Sequence, residues 1–347
     1  MTLSHKPLTP RPRATMRDVA ERSGTSLKTV SRVVNEEEGV SQELIDRVKE
    51  AISELDYRPN LSAGALRRND GKTQTIGLLV ENISNPFSSA LHRAIEEVAR
   101  SRGVVVFAGS LDEDPIRERE LTEAFAARRV DGLIVVPAGD DQSYLATERQ
   151  AGTALLFIDR PPHGLIGDTV LSTNSAGAEQ ATQHLISHGH RKIAYIGDYA
   201  TIHTGAERLA GYKKALKSAG IAINDKYILQ GFHTSEEARI ALRALLTSSE
   251  PPTAVFASQN LVTLGAIRAL RDLQLSHSIA LVGFDDISEA DLLDPPVTLV
   301  TQDVTAMGER AAELLFARLD GDDSEYMHIE IETTLTARGS GEILPRS

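Results

Sequence analysis

The sequence of 347 residues contains no cysteine and no tryptophan, and aromatic residues make up only 4% of it. Without cysteine, disulfide bonds, thiolate catalysis and zinc fingers are excluded. No apolar run approaches the roughly 18 residues that a membrane-spanning helix needs, and no signal-peptide pattern precedes the first amphipathic segment. Together with 41% hydrophobic and 25% charged residues, these absences predict a globular cytoplasmic protein without a membrane partner.

Motifs of the common enzyme classes are absent as well. The sequence holds no G-x-S-x-G elbow, no Walker-type phosphate loop, no H-E-x-x-H motif and no G-x-G-x-x-G fingerprint after a strand. The histidines of HGHR (His188–Arg191) suggest a metal site, but the pattern favours a solvent-facing turn between a helix and a strand. We therefore predict no enzymatic activity, no cofactor and no metal site.

Charge is distributed unevenly along the chain, whose formal net charge is −12. Residues 1–72 hold 13 Lys/Arg and 11 Asp/Glu, a net of +2, whereas the remaining 275 residues hold 24 and 38, a net of −14. The length is that of two or three domains. A polyanion such as DNA would therefore approach the N-terminal part.

The N-terminal part has the pattern of a disordered tail followed by three short helices. Residues 1–14 are rich in proline and arginine and predict a basic tail without fixed structure. Thr15 and Ser26 are candidate N-caps of the first two helices, and Gly24 suits the turn between them. A third amphipathic helix, with its own apolar face, is predicted to begin at Ser41. This arrangement predicts a helix-turn-helix domain over residues 15–58.

The second helix has three valines on one face, so its opposite face should point outward. Arg and Lys suit guanine O6 and N7, hydroxyls suit phosphates or base edges, and an aliphatic group suits a thymine methyl. The candidate DNA contacts of this helix and its ends are Ser26, Leu27, Lys28, Thr29, Ser31, Arg32 and Asn35. The alternative is a plain three-helix surface in a protein that does not bind DNA.

The segment YRPNLSAGALRR (Tyr57–Arg68) predicts a hinge over residues 59–72. Its proline should stop the third helix at or before Arg58, and Asn60 can cap a further short helix. A helix of about two turns is marginal alone, and Gly64 weakens it, so we expect it to order when paired on DNA. Leu66 on such a helix can wedge into the minor groove.

The segments ATMRDVAERSGTSLKTVSRVVN and YRPNLSAGAL, at this separation, resemble the head of the LacI/GalR family of bacterial transcription factors. The resemblance implies that Leu27 and Lys28 occupy the positions that vary with operator sequence. It also implies that Arg32 is a conserved-type base reader and that Leu66 is the leucine lever. The same motifs add further expected DNA contacts at Thr15, Tyr57, Asn60 and Ala63.

Two features depart from the family pattern. The acidic loop at Glu36, Glu37 and Glu38 directly follows Asn35, where carboxylates repel phosphate unless the loop bends away. Gly64 and Ala65 stand where longer polar residues are frequent, so base contacts from those two positions are not expected.

From Thr73 the pattern changes to short β-branched runs alternating with amphipathic helices. Buried strands are predicted at TIGLLV, VVVFAG, DGLIVVP, TALLFID, IAYIGD, TAVFAS and SIALVGFD. Alternation of this kind predicts βαβ units, here two doubly wound parallel-sheet subdomains with a ligand between them. The predicted fold class is thus α/β: a three-helix helix-turn-helix head with a hinge helix, followed by these two subdomains.

Stretches such as IGLLVENISNPF, FIDRP, HLISHGHRKIAYIGD and LVGFDD look like the effector domain of the same family, which shares the fold of periplasmic sugar-binding proteins. The resemblance implies an effector-binding and dimerisation domain, placed at residues 73–340. It also implies three crossings between subdomains, which we expect near residues 172, 301 and 332. Residues 341–347 would form a tail. The chain end is too short for a heptad bundle, so a homodimer is expected rather than a tetramer.

Residues at the predicted strand ends are the candidates for effector binding. They are Asn85, Phe87, Asp159, Arg160, Thr204, Arg208, Gln259 and Asp285. Carboxylates and arginine are good partners for neighbouring hydroxyls, and Phe87 could stack on a ligand ring. Arg208 and Asp285 match effector-contact positions of the family. The alternative for each polar residue is a helix cap or an interdomain salt bridge.

Two departures from the family pattern bear on which class of effector is expected. Purine-responsive members carry an aromatic residue where this chain has His233 and an arginine where it has Ile202. The family's Asn-Asp pair is Gln259-Asn260 here, and no tryptophan is present to stack on a sugar. We expect a small sugar, sugar acid or polyol, with a purine or nucleoside as the alternative.

The sequence therefore predicts a transcriptional regulator, a repressor by expectation, that binds a pseudo-palindromic operator as a dimer. An effector in the inter-subdomain cleft would control it, and the affinities for effector and DNA would be linked reciprocally. A ligand-binding protein without DNA function is the other reading, but it leaves TVSRVVN and YRPN unexplained.

Overall fold

The computed structural model describes residues 14–35, 37–58 and 72–346. The chain divides into two compact units, Met1–Thr73 and Gln74–Ser347, which we call the head and the body. In the described ranges no helix has both the length and the apolar character needed to cross a membrane. Asn60, Ala63 and Leu66, with the rest of residues 59–71, lie outside the described residues, as do residues 1–13 and Glu36.

Three helices form the head, and their ends follow from local hydrogen bonds. They are α1 (Met16–Ser23), α2 (Leu27–Val34) and α3 (Gln42–Glu54). Thr15 caps α1 in a reciprocal capping box, because Asp18 N donates to its hydroxyl and its own N donates to the Asp18 carboxylate. Gly24 ends α1 with a left-handed φ of 62°, where a Cβ would lie 2.8 Å from the Arg47 guanidinium.

The apolar face of α2 packs inward, as the valine spacing predicts. Val30 is fully buried and Val33 nearly so, and both join Val19 of α1 and Val48 of α3 in the core of the head. Val34 is only partly buried at the edge of this core. The predicted helix-turn-helix is therefore confirmed, and the face of α2 opposite the valines remains available to a partner.

The body contains two six-stranded sheets, and the first is entirely parallel in the order β11-β5-β4-β3-β1-β2. Its strands are β1 (Thr75–Val80), β2 (Val105–Ser110), β3 (Gly132–Val135), β4 (Ala154–Ile158), β5 (Asp168–Ser172) and β11 (His328–Ile331). The helices of this half are α4 (Pro86–Ser101), α5 (Pro115–Ala127), α6 (Ala146–Gln150) and α11 (Val304–Leu319). Its main core lies between the sheet and the pair α4 and α11.

The second sheet has the order β12-β10-β9-β8-β6-β7. Its strands are β6 (Ile193–Ile196), β7 (Ile228–Leu229), β8 (Ala254–Ala257), β9 (Ala280–Phe284), β10 (Thr298–Gln302) and β12 (Thr333–Thr336). The helices of this half are α7 (Asn174–Ser187), α8 (His203–Ser218), α9 (Ser235–Leu246) and α10 (Asn260–Asp272). Cores on both faces of the sheet bury the central strands completely, as expected of a doubly wound sheet. The predicted two-subdomain α/β fold is confirmed.

The chain passes between the two halves at three places. It leaves the first sheet after Ser172, returns after Gln302 when α11 packs on α4, and crosses again at Glu332 between β11 and β12. Thr173 Oγ1 accepts from Thr333 N and lies 3.3 Å from Thr333 Oγ1, so two of the crossings contact each other directly. Because Gln302 also pairs with Thr333, the three crossings lie side by side between the sheets.

Two features differ from a purely parallel pair of sheets with a free C-terminal tail. Strand β12 is antiparallel to β10, because the chain runs straight out of the first sheet and enters the second from its carboxyl edge. The residues after 340, predicted as a tail, are packed on the second half. Ser340–Glu342 forms a short 3₁₀ helix, Ser340 is buried, and the carbonyl of Ile343 accepts a hydrogen bond from His190.

Candidate functional site

The outward face of α2 carries the residues predicted to contact DNA. Leu27 is 47% exposed and Lys28 is exposed beside it at the start of the helix. Ser26 caps α2 by accepting from Thr29 N at 3.0 Å, and its hydroxyl lies 2.8 Å from the Thr29 hydroxyl. Helix α2 thus presents one exposed aliphatic group and one cation near its N-terminal end, the end that enters a major groove in helix-turn-helix proteins.

Arg32 lies one turn further along α2 and contacts the acidic loop. Its guanidinium donates to the carbonyl of Glu38, and its Nε lies 3.4 Å from the Glu37 carboxylate. The sequence predicts that this loop either bends away from DNA or repels phosphate, and in the structure Glu37 and Glu38 fold back onto the Arg32 cation. Binding of DNA by Arg32 must therefore compete with these contacts.

Four other predicted DNA contacts, Thr15, Ser31, Asn35 and Tyr57, make contacts within the head itself. Tyr57 is only 8% exposed and packs into the core of the head, so its burial does not support a role at the DNA surface. Ser31 accepts a long hydrogen bond of 3.4 Å from Asn35 Nδ2. Thr15 is occupied by its capping box.

All eight predicted effector residues line one cleft between the two sheets of the body. The carboxyl ends of the strands of both sheets meet there, which is where ligands bind in open α/β sheets. The cavity encloses only about 60 Å³, well under the roughly 300–1,000 Å³ of a typical ligand pocket. The cleft is therefore nearly closed by its own side chains.

Two of the lining carboxylates sit on strained backbone. Asp159 directly follows β4 with φ 67°, and Asp285 directly follows β9 with φ 66°. A non-glycine residue in the left-handed region costs roughly 1 kcal/mol or more, and such strain clusters at functional sites. The equivalent position of the two aspartates in the two halves points both carboxylates into the same cleft.

Arg208 is the centre of a buried polar network in the second half. It projects from α8 and is 4% exposed. Its Nε donates to Asn174 Oδ1 at 2.8 Å, and its Nη1 donates to the Ser258 carbonyl at 2.7 Å and to Asp285 at 3.2 Å. Gln302 Nε2 donates to the same Asp285 carboxylate at 2.6 Å. The guanidinium also lies 3.9 Å from the centre of the Phe284 ring.

Arg160 forms the matching ion pair in the first half. Both of its terminal nitrogens donate to the Glu113 carboxylate at 2.6 Å, a bidentate pair that is largely buried. The neighbouring Asp159 carboxylate lies 3.5 Å from Arg160 Nε. Burial raises the pKa of Asp159 to about 6, although Arg160 and Arg208 act in the opposite direction.

A third cation, His233, joins the two halves across the cleft. Its Nδ1 lies 2.9 Å from Asp198 in its own half, and its Nε2 lies 3.2 Å from Glu81 at the end of β1. Hydrogen bonds to Asp198 and Glu81 raise the pKa of His233 to about 10, so the imidazole is protonated at neutral pH. A second bridge runs from Asn260 Nδ2 to Asn85 Oδ1 at 2.8 Å.

Some of the predicted effector residues also have structural roles. Asn85 and Gln259 are N-caps, of α4 and α10 respectively. The cap alternative is thus realised for both, and Gln259 additionally donates to Asp198 at 3.3 Å. The ion pairs of Arg160 and Arg208 each stay within one half, so the interdomain salt bridges of the described cleft come from His233 instead.

Several lining residues were missed by sequence reasoning. Glu81 and Ser258 directly follow β1 and β8, and Asp198 lies two residues after the end of β6, so polar residues close to strand ends include all three. Glu113 and His233 lie on loops beyond the strand ends. The sequence marks His233 only as a departure from purine-responsive members and gives no signal for Glu113. The ionic role of both residues is identified only by the carboxylates and the cation that they contact in space.

The prediction of a solvent-facing HGHR turn is wrong for one residue. His190 is fully buried, with Nδ1 2.9 Å from the Thr253 hydroxyl and Nε2 2.7 Å from the Ile343 carbonyl. Burial lowers the pKa of His190, which favours the neutral ring. Its role is to attach the last residues of the chain to the second half.

Comparison with known proteins gives two family matches. A family described as bacterial regulatory proteins, lacI family, matches residues 15–60, and a periplasmic binding protein-like domain matches residues 182–341. The ribose operon repressor of Escherichia coli (strain K12) is 33% identical over 94% of this chain and 99% of its own length. The repressor PurR of Histophilus somni (strain 2336) is 31% identical over 95% and 100%.

Among solved structures, a lac repressor dimer bound to operator and an anti-inducer is similar. It has a TM-score of 0.84 and 26% identity, covering 95% of this chain and 99% of that one. The match includes both the head and the body of the chain.

Proposed function

The chain belongs to the lacI family of bacterial regulatory proteins, and on that premise we propose a repressor whose affinity for its operator is controlled by a small sugar or polyol bound in the cleft of the body. It is a DNA-binding transcriptional regulator. The observation that carries the proposal is the occurrence in one chain of an outward α2 face with Leu27 and Lys28 and a charged cleft at opposed strand ends. We propose no catalytic role, and a cytoplasmic location, where operator DNA lies.

Control by the effector requires that the two halves of the body move relative to each other. A ligand too large for about 60 Å³ must separate the sheets or displace side chains to enter. Entry would break or rearrange the bridge from His233 to Glu81, which crosses the cleft. The effector would thereby select a different spacing of the two halves, and its binding and operator binding would be linked reciprocally.

A homodimer is the proposed operator-binding form. Val105 and Phe107 are exposed on the edge strand β2, and Ile116, Ile240 and Leu292 are exposed elsewhere on the body. Val105 and Phe107 lie two residues apart on one edge strand, and an apolar pair of this kind favours an interface between copies. A dimer presents two heads to the half-sites of a pseudo-palindrome. The solved lac repressor relative is a dimer on operator.

A purine is the second candidate effector, because PurR of Histophilus somni is among the relatives. The rings of Tyr199 and His233 are stacked at 5.9 Å, and Phe87 lines the cleft. A purine could lie against these rings. The charge on His233 disfavours a purine. Its ring is protonated and hydrogen-bonded to two carboxylates, so it does not offer a neutral surface for stacking.

The direct test is operator binding by the full-length chain. Selection from random duplex DNA at fixed salt should yield a pseudo-palindromic site, and Arg32→Ala should weaken binding to it at least tenfold, about 1.4 kcal/mol, through loss of base contacts. Arg310→Ala on the exposed surface of α11 serves as the control and should bind normally. Selection that yields no site, or equal affinity of the Arg32 variant, would overturn the proposal.

A further inference from the structure

Every cation of the effector cleft is neutralised by a carboxylate of the same cleft. Arg160 is held by both oxygens of Glu113, and Arg208 is held by Asp285. The His233 imidazolium lies between Asp198 and Glu81. No lining cation is therefore left to neutralise a charge on a ligand, within the residues that the structure describes.

The lining carboxylates outnumber these cations. Five acidic side chains line the cleft, namely Glu81, Glu113, Asp159, Asp198 and Asp285, against Arg160, Arg208 and His233. With all of them ionised and His233 protonated, the formal sum is −5 + 3 = −2. Because the cleft is largely withdrawn from water, this excess repels an anion more strongly than it would at an exposed surface.

The cleft also holds buried polar atoms that lack a hydrogen-bond partner in the described part of the chain, although one of them, Arg160 Nε, lies 3.5 Å from the Asp159 carboxylate. They are Arg160 Nε, Ser258 Oγ and Gln302 Oε1, and their residues are all less than 10% exposed. A buried polar atom without a hydrogen bond is costly, and natural proteins leave few of them. Three such atoms in one cavity indicate that a ligand completes their hydrogen bonds.

The chemistry of these atoms distinguishes between ligand classes. Gln302 Oε1 and the Asp159 carboxylate only accept hydrogen bonds, whereas Arg160 Nε only donates one. A hydroxyl can do both, so a compound with several hydroxyls can satisfy all of them together with Ser258. The ionised group of a sugar acid or sugar phosphate only accepts hydrogen bonds, so it cannot replace a hydroxyl beside Gln302 Oε1 or Asp159, and the excess negative charge of the cleft repels it.

We propose that the cleft binds an uncharged compound with several hydroxyl groups, of monosaccharide size, and rejects the carboxylate and phosphate derivatives of the same carbon skeleton. This inference rests on the proposed function, in which the cleft is the effector site. It removes sugar acids and sugar phosphates from the candidate effectors. It also disfavours purines, because their ring nitrogens offer fewer donors than a polyol does.

The first experiment compares matched compounds by thermal shift with the full-length protein. Neutral pentoses, hexoses and the corresponding alditols are tested against aldonic acids, uronic acids and sugar phosphates of the same skeletons, with adenine and guanine included. We expect at least one neutral compound to raise the melting temperature, with its charged derivatives binding at least 100-fold more weakly. The proposal is overturned if a charged derivative binds as tightly as its parent, if a purine binds best, or if no neutral compound binds.

Two variants link the selectivity to the cleft. Glu113→Gln removes the bidentate carboxylate of Arg160 and leaves only Asp159, 3.5 Å from its Nε, so the preference for the neutral compound over its acid should fall at least tenfold. Ser258→Ala removes one unpartnered hydroxyl and should weaken the neutral compound about tenfold, that is by about 1.4 kcal/mol. Glu123→Gln on the exposed side of α5 and the exposed Ser248→Ala are the matched controls, and neither should change binding.

Operator binding by the same preparations separates this inference from the proposed function. Binding of a neutral compound without any operator binding would contradict the regulator role and leave the ligand class intact. Operator binding that responds to an acid, a phosphate or a purine would contradict the ligand class and leave the regulator role intact. Unchanged selectivity in Glu113→Gln would contradict the charge argument itself.

Discussion

At the scale of single residues, Asp159 combines three costs. Its backbone is left-handed, the residue is 7% exposed, and burial raises its pKa to about 6. Each of these features destabilises the effector-free protein. Together they indicate that Asp159 serves ligand binding. The residue type and position followed from the sequence, since Asp159 ends a predicted strand. The raised pKa did not, because it depends on the burial that the second half of the body imposes.

Asp159→Asn should stabilise the effector-free body at neutral pH. A carboxyl group whose pKa is about 6 when folded and 3.8 otherwise binds its proton more tightly in the folded state. Native stability is therefore lost as pH rises from about 4 through 6, and the variant escapes this loss. The gain should be roughly 2–3 kcal/mol at pH 7.5 and near zero at pH 4, by the conversion of about 1.4 kcal/mol for each pKa unit.

Denaturant unfolding of both proteins at the two pH values measures this gain. The exposed Asp323→Asn is the charge-matched control, for which no such pH dependence is expected. An equal effect of Asp159→Asn at pH 4 and pH 7.5 would show that the ionised carboxylate carries no burial cost.

At the scale of elements, close helix contacts position the cleft residues. A Cβ on Gly211 of α8 would lie 2.1 Å from the Ser175 carbonyl oxygen of α7, and one on Gly265 of α10 would lie 2.4 Å from the Ser235 carbonyl of α9. The first contact sets Arg208 of α8 against Asn174 at the start of α7. Alternating strand and helix patterns were readable from the sequence. The sequence did not indicate which glycines lie where two helices touch, because the residues around a helical glycine do not show which other helix packs against it.

Gly211→Ala should therefore act on stability and on effector binding together. The added methyl group cannot fit at 2.1 Å, so α7 and α8 must separate, at a cost of roughly 1–3 kcal/mol. The shift moves Arg208 from Asn174 and should weaken effector binding at least tenfold. Thermal unfolding and ligand titration measure the two effects, with Lys217→Ala on the exposed side of α8 as the control. A variant with native stability and affinity would mean that the helices separate without cost.

At the scale of the whole molecule, operator recognition by the proposed dimer depends on joining two heads. A single helix-turn-helix reads only one half-site, and a second head on the same dimer raises the effective concentration at the other half-site. Leu292 is 77% exposed and borders an apolar groove of about 550 Å³ that also includes Ile267 and Leu270. An exposed leucine beside an apolar groove is a suitable centre for an interface between two bodies.

Leu292→Asp should shift the protein from dimer to monomer. The carboxylate would be desolvated at the interface, so sedimentation at micromolar concentration should give a single-chain mass, and operator affinity should fall at least 100-fold. Effector binding should persist, because the cleft lies within one chain. The matched control is Ile166→Asp, which should remain dimeric. Ile166 is 76% exposed, close to the 77% of Leu292. A dimeric Leu292 variant would place the interface elsewhere.

The sequence by itself determined the features that depend on neighbours within a few residues. The caps at Thr15 and Ser26, the inward valines of α2, the alternation of strands and helices, and the polar residues that follow strands all arise from local spacing and hydrogen bonding. Only the tertiary structure decided which charges meet, because Arg160 and Glu113 are 47 residues apart and His233 and Glu81 are 152 apart. Because these groups are buried, they form ion pairs, raise the pKa of Asp159 and leave polar atoms without hydrogen bonds, and the proposed ligand selectivity of the cleft is argued from these features.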